Sequence, residues 1–154
     1  MPPRNRGEPG VCFSAYTNSS VPANIGQVHS TRIRILAVDQ NSLLREGLSL
    51  LILLHPDMEL IGSVASAEEG VQSFEKHRPD VTLMDLDLPL AAGLAAIRKI
   101  RQIDPSACVL GLSTYEEDES RAQALRAGAR NCVTKDRLDE DLISMMRNCA
   151  RKPA

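Results

Sequence analysis

The chain has 154 residues with a formal net charge of −2, 43% hydrophobic and 25% charged, values that suit one globular domain with room for a core. No basic surplus drives non-specific nucleic-acid binding, no apolar run reaches the ~18 residues of a membrane span, and the N-terminus lacks the apolar stretch of a signal peptide. Aromatics make up 3%, so the core must be aliphatic, and the scattered Cys12, Cys108, Cys132 and Cys149, like the scattered His29, His55 and His77, argue against zinc and for reduced thiols in a cytosol.

Residues 1–31 are rich in Pro, Gly, Ser and Asn with no apolar period, and read as a disordered N-terminal extension. Order begins at Ile33–Val38, an apolar run that reads as a strand ending on Asp39. Asn41 or Ser42 can cap the helix that follows, whose Leu43, Leu44, Leu48, Leu51 and Ile52 lie at helical spacing. His55-Pro56-Asp57 ends it. Leu60–Val64 is a second strand. Ser66 with Glu69 forms a capping-box pattern that opens a helix with Val71 and Phe74 turned inward.

Val81–Met84 is a third, buried strand ending abruptly on Asp85, with Pro89 blocking its continuation. Gly93–Ile103 reads as a helix with Leu94, Ile97 and Ile100 on one face. Cys108–Leu112 is a fourth strand, followed by Ser113-Thr114. A charged helix spans Glu116–Ala127, and Gly128 supplies its left-handed end. Asn131–Thr134 is a fifth strand ending on Lys135. Leu138–Cys149 is the last helix, with Leu142, Ile143 and Met146 inward, and 151–154 is a short tail. Cys108 and Cys132 read as small core residues.

Five strand–helix units in strict alternation imply an α/β fold: a parallel sheet with helices on both faces. The unit count suits the flavodoxin-like (βα)5 doubly wound order 2-1-3-4-5. In such a sheet the strand ends share one edge. Asp39, Asp85, Ser113 and Lys135 therefore converge beside the switch point between strands one and three. Two carboxylates can hold a hard cation such as Mg²⁺. A carboxylate beside it can attack a phosphoryl group, while a hydroxyl and an ammonium hold the phosphoryl oxygens.

The pieces Ala37-Val38-Asp39, Arg45-Glu46-Gly47-Leu48, Arg78-Pro79-Asp80, Leu83-Met84-Asp85-Leu86-Asp87-Leu88-Pro89, Ala127-Gly128-Ala129 and Thr134-Lys135-Asp136 resemble the response regulator receiver domain of two-component signalling. The likeness covers residues 32 to about 150 and is nearest to receivers that precede LuxR/NarL-type helix-turn-helix domains. It implies that Asp85 is the phospho-acceptor, that Asp39 belongs to an acidic Mg²⁺ pocket, and that Asp87 offers its backbone carbonyl to the metal. It also implies that Ser113 is the switch hydroxyl and that Lys135 contacts the phosphoryl group. The partner would be a histidine kinase or phosphotransfer protein in the cytoplasm, with a homodimer as a further option. The chain shows no helix-turn-helix segment, so DNA binding by this chain is not expected.

Two positions depart from the family pattern. Gln40 replaces the second acid that usually touches Mg²⁺; its amide oxygen can still ligate, without the charge, so affinity should fall. Cys132 stands where receivers often place an aromatic that turns inward on phosphorylation. These departures support a second reading, a degenerate receiver acting as a phosphorylation-independent binding module. A third reading is a phosphatase of the haloacid-dehalogenase type, suggested by Asp85-Leu86-Asp87. There the motif follows the first strand, however, and here it follows the third, so the chain is not read as an enzyme.

Overall fold

In the computed structural model the described residues are 31–114 and 118–151. The chain separates into a unit spanning Met1–Arg32 and one spanning Ile33–Ala154, and every element described below lies in the second. The extension expected over 1–31 lies outside the described residues apart from Thr31.

Strands β1 (Ile33–Val38), β2 (Met58–Val64), β3 (Val81–Asp85), β4 (Val109–Ser113) and β5 (Asn131–Thr134) form one sheet in the order β2-β1-β3-β4-β5. Every pairing is parallel, as the alternation of elements demanded. The helices are α1 (Ser42–Leu53), α2 (Ala67–His77), α3 (Leu90–Ile103), α4 (Asp118–Ala127) and α5, a π-helical turn Leu138–Leu142 continuing into the α-helix Ile143–Ala150.

The helix starts follow local chemistry. Asn41 caps α1, its side chain accepting from the Leu43 and Leu44 amides at 3.0 and 3.3 Å. Ser66 caps α2 through the Glu69 amide at 3.2 Å, and its hydroxyl donates back to Glu69 Oε1. The helix α3 begins at Leu90, three residues before the expected start at Gly93. The strand ends at Asp85, and Pro89 opens the helix, its carbonyl accepting from the Ala92 amide at 2.7 Å. A fixed φ suits proline to a helix start. Strand β2 begins two residues before the expected Leu60, because Met58 pairs with Ile33.

Alternation along the strands divides the core. Leu36, Val38 and Met84 pack with Phe74 of α2, Leu94, Ile97 and Ile100 of α3, and Ala124 and Ala127 of α4. Ile35, Ala37, Val81, Leu83 and Leu110 pack with Leu48 and Ile52 of α1 and with Leu142, Ile143 and Met146 of α5. Three helices thus cover one face of the sheet and two the other. Of the apolar residues at helical spacing in α1, Leu48 and Ile52 are buried but Leu43 is 74% exposed, and Leu50, Leu53 and Leu54 are exposed with it.

The thiols differ from expectation. Cys108 and Cys149 are joined as a disulfide, with Cα atoms 5.9 Å apart, whereas reduced thiols were expected from their scatter. Cys108 is still a core residue, but it lies where the start of β4 meets the last turn of α5. A sequence separation of 41 gave no hint of that meeting. Cys132 is free and buried against the other face, as expected, and burial pushes its thiol up from the usual value.

Candidate functional site

The parallel register delivers the strand ends to one edge. Val38 of β1 pairs with Met84 of β3, so Asp39 and Asp85 leave adjacent strands side by side. Both are fully buried. Ser113 ends β4 and pairs with Thr134, the last residue of β5, which places Lys135 next to them. The Lys135 amide also donates to the Ser113 carbonyl at 2.8 Å.

Lys135 binds the cluster together. Its Nζ lies 2.9 Å from Asp39 Oδ2, 3.0 Å from Asp85 Oδ1 and 3.4 Å from Asp87 Oδ2. Backbone amides hold the carboxylates in place: Asn41 N donates to Asp39 Oδ1 at 2.8 Å, and Asp87 N donates to Asp85 Oδ1 at 2.7 Å. Arg45 reaches back from α1 to the Asp39 carbonyl at 2.7 Å.

The electrostatics follow from burial. Desolvation is the largest influence on Asp39 and raises its carboxyl above the usual 3.8, with Asp85 adding repulsion, against the lowering pull of Asn41 and Lys135. For Lys135 burial pulls the other way, but hydrogen bonds to Asp39 and Asp85 and their charges outweigh it. Its ammonium is therefore held above the usual 10.5. The charged lysine persists because it has anionic partners.

Of the six residues expected at the site, Asp39, Asp85, Asp87 and Lys135 meet around one ammonium. Ser113 lies on the same edge. Gln40 is there too, but its amide nitrogen donates to the Asp87 carbonyl at 3.2 Å, the oxygen expected to face a metal. Two contributions were not foreseen. The Asp87 side chain, considered before only for its backbone, accepts from both the amide and the hydroxyl of Thr114. The sequence marks Thr114 only as the residue that follows Ser113. The Asp-x-Asp spacing and the paired hydroxyls Ser113-Thr114 were visible signals, but nothing in the sequence shows which hydroxyl meets which acid.

The donors suit a hard divalent cation. Asp39 is fully buried and its Oδ2 faces the Lys135 ammonium at 2.9 Å, and the remaining candidates are carboxylate and carbonyl oxygens. Among the described residues no three His, Cys, Asp or Glu side chains are grouped as a metal cage. A cation here must draw on backbone oxygen or water beside the acids. Also among the described residues, no helix is long and apolar enough to cross a membrane.

Comparison with known proteins gives a consistent result. The family model described as the response regulator receiver domain matches residues 35–147. The oxygen regulatory protein NreC of Staphylococcus carnosus is 34% identical over 120 residues, covering 77% of this chain and 55% of that protein. The nitrate/nitrite response regulator protein NarL of Escherichia coli is 32% identical over 116 residues, covering 75% and 54%. The chain therefore spans about half the length of these relatives. Among solved structures, a LuxR-family two-component response regulator from Aurantimonas superposes with a TM-score of 0.73 at 31% identity, over 77% of this chain and 85% of that one. The response regulator domain of Thermotoga maritima CheB gives 0.71 at 26% identity, over 80% and 99%. None of these relatives favours the reading of a receiver that has lost its chemistry.

Proposed function

Because the chain belongs to the response regulator receiver domain family, we propose that it accepts a phosphoryl group on Asp85 from a histidine kinase or phosphotransfer protein, in cytoplasmic two-component signalling. The observation that carries this reading is the Asp85 carboxylate at the end of the central strand, with Lys135 Nζ at 3.0 Å and Ser113 on the same edge. An Asp85 oxygen attacks the phosphorus, the bond from phosphorus to the donor's histidine nitrogen breaks, and the imidazole leaves. Lys135 then offers charge to the phosphoryl oxygens. Treatment with acetyl phosphate and Mg²⁺, followed by mass spectrometry, should show one added phosphoryl group that Asp85→Asn abolishes. Equal labelling of wild type and variant would sink the assignment, and no labelling of the wild type would favour a passive binding module.

Asp39, Asp85 and the Asp87 carbonyl are the groups that would hold Mg²⁺, which when bound supplies positive charge against the charge spread over the phosphoryl oxygens. Gln40 weakens that site in two ways. It brings no charge, and its amide occupies the Asp87 carbonyl at 3.2 Å. Restoring an acid with Gln40→Asp adds attraction of ~1–4 kcal/mol at a few ångströms in a high effective dielectric. Titration should show Mg²⁺ binding about tenfold tighter in the variant or better; equal affinities would mean that Gln40 does not govern the metal.

The homodimer reading draws support from α1. Leu43, Leu50 and Leu54 are exposed, and with Gly47, where an added Cβ would meet open space, they fall along one helical stripe. Such a stripe is self-complementary across a two-fold axis. Sedimentation of the wild type should show concentration-dependent association that Leu50→Lys weakens. A wild type that stays monomeric at high concentration would remove this reading.

A further inference from the structure

The carboxylate cluster occupies one edge of the sheet; the paired cysteines occupy the opposite one. Cys108 immediately precedes β4, and Cys149 lies in the last turn of α5. Their Cα separation of 5.9 Å is in the range a disulfide spans without moving the backbone. Each is only 5% exposed, yet both form part of the wall of a pocket of about 440 Å³, together with Asp80, Arg101, Ser106 and Arg130. The pocket therefore brings small molecules up to the pair. The two guanidiniums bring positive charge to the pocket, which draws the anionic small thiols of a cell. Asp80 offsets one of these two charges and leaves the charged groups of the wall net positive. Cys132 offers no competing partner, since it packs against the opposite face of the sheet.

We propose that Cys108 and Cys149 are a reversible, thiol-controlled crosslink that ties the end of α5 to the start of β4. Its oxidant is a small-molecule disulfide. One cysteine thiolate attacks a sulfur of that disulfide, forming a mixed disulfide and expelling a small thiolate. The second cysteine then attacks the protein sulfur of the mixed disulfide and expels the other small thiolate. The protein pair gives up two protons and two electrons, and the small disulfide takes them up as two thiols. Excess small thiol runs both steps backwards.

The crosslink closes a loop across a sequence separation of 41, so it restricts the unfolded chain substantially. The test equilibrates the full chain with oxidised glutathione or with excess reduced glutathione, then alkylates free thiols and maps the peptides. In the oxidised sample the Cys108 and Cys149 peptides should be linked, and in the reduced sample both should be alkylated. The melting temperature should fall by on the order of 10 °C on reduction. Cys149→Ser should lose this redox dependence, and Cys132→Ser should keep it. Four outcomes would each overturn the proposal: identical melting in both states, a linkage through Cys12 or Cys132, a glutathione adduct that never resolves, or a bond that excess thiol cannot open.

Discussion

At the scale of single residues, the site is a balance between one ammonium and three carboxylates. Asp39 carries the cost of that arrangement. Its raised carboxyl means that the folded state binds its proton more tightly than the unfolded chain does. The stability this contributes is complete below the unfolded value near 3.8 and is lost as pH rises through the raised folded value. Asp39→Asn removes the titration while retaining an acceptor for the Asn41 amide. Its advantage in melting temperature over the wild type should therefore widen as pH rises from about 4 to 7; thermal melts at both pH values check it. Lys135 behaves as a cation stabilised by folding. Its contribution is present below 10.5 and disappears as pH rises through its raised value, so the wild type should soften in strong alkali. Thr82 shows a different residue-scale cost. It is fully buried in β3, and among the described residues its hydroxyl has no hydrogen-bond partner. Thr82→Val keeps the shape and discards the unsatisfied group, so chemical denaturation should show a gain of about 1 kcal/mol.

At the scale of elements, α3 is pressed against the end of β3 through Gly93. A Cβ there would lie 2.9 Å from the Asp85 backbone oxygen. Backbone cannot swing aside as a side chain can. Gly93→Ala should therefore cost ~1–3 kcal/mol and slow acetyl phosphate labelling together, because the displaced atom belongs to the acceptor residue; a stability loss with unchanged labelling would show that the strand end holds its place. The sequence marks Gly93 only as a helix start, since periodicity does not show close approach. The same distinction explains what else was legible. The apolar runs Ile33–Val38 and Val81–Met84, the Asn41 and Ser66 caps and the Gly128 helix end, whose φ is +122°, are local signals, and each appears as expected, with Asp85 added to the end of the second run. Strand order followed from alternation, and the meeting of Asp39, Asp85 and Lys135 followed from strand order. The π-helical turn opening α5, the early start of α3, the Thr114–Asp87 bond and the Cys108–Cys149 pairing depend on tertiary placement. No spacing rule reaches them.

At the scale of the whole molecule, strand order sets when each charge reaches the site as well as where. Asp39 and Asp85 are brought together by the pairing of β1 with β3, and Asp87 follows two residues later in the chain. The counter-charge comes from Lys135, beyond the edge strand β5 and placed by its pairing with β4. A folding chain that has docked β1 and β3 but not β5 therefore holds three carboxylates close together without their lysine. Their repulsion opposes any transition state that forms the sheet from its centre outward. Salt screens such repulsion, with a range of about 10 Å at 0.1 M. Stopped-flow refolding should accelerate as sodium chloride is raised, with unfolding far less affected, and Asp39→Asn should refold faster at low salt with a flatter salt response. A refolding rate indifferent to salt would mean that β5 docks before the acids close, so that the edge of the sheet forms no later than its centre.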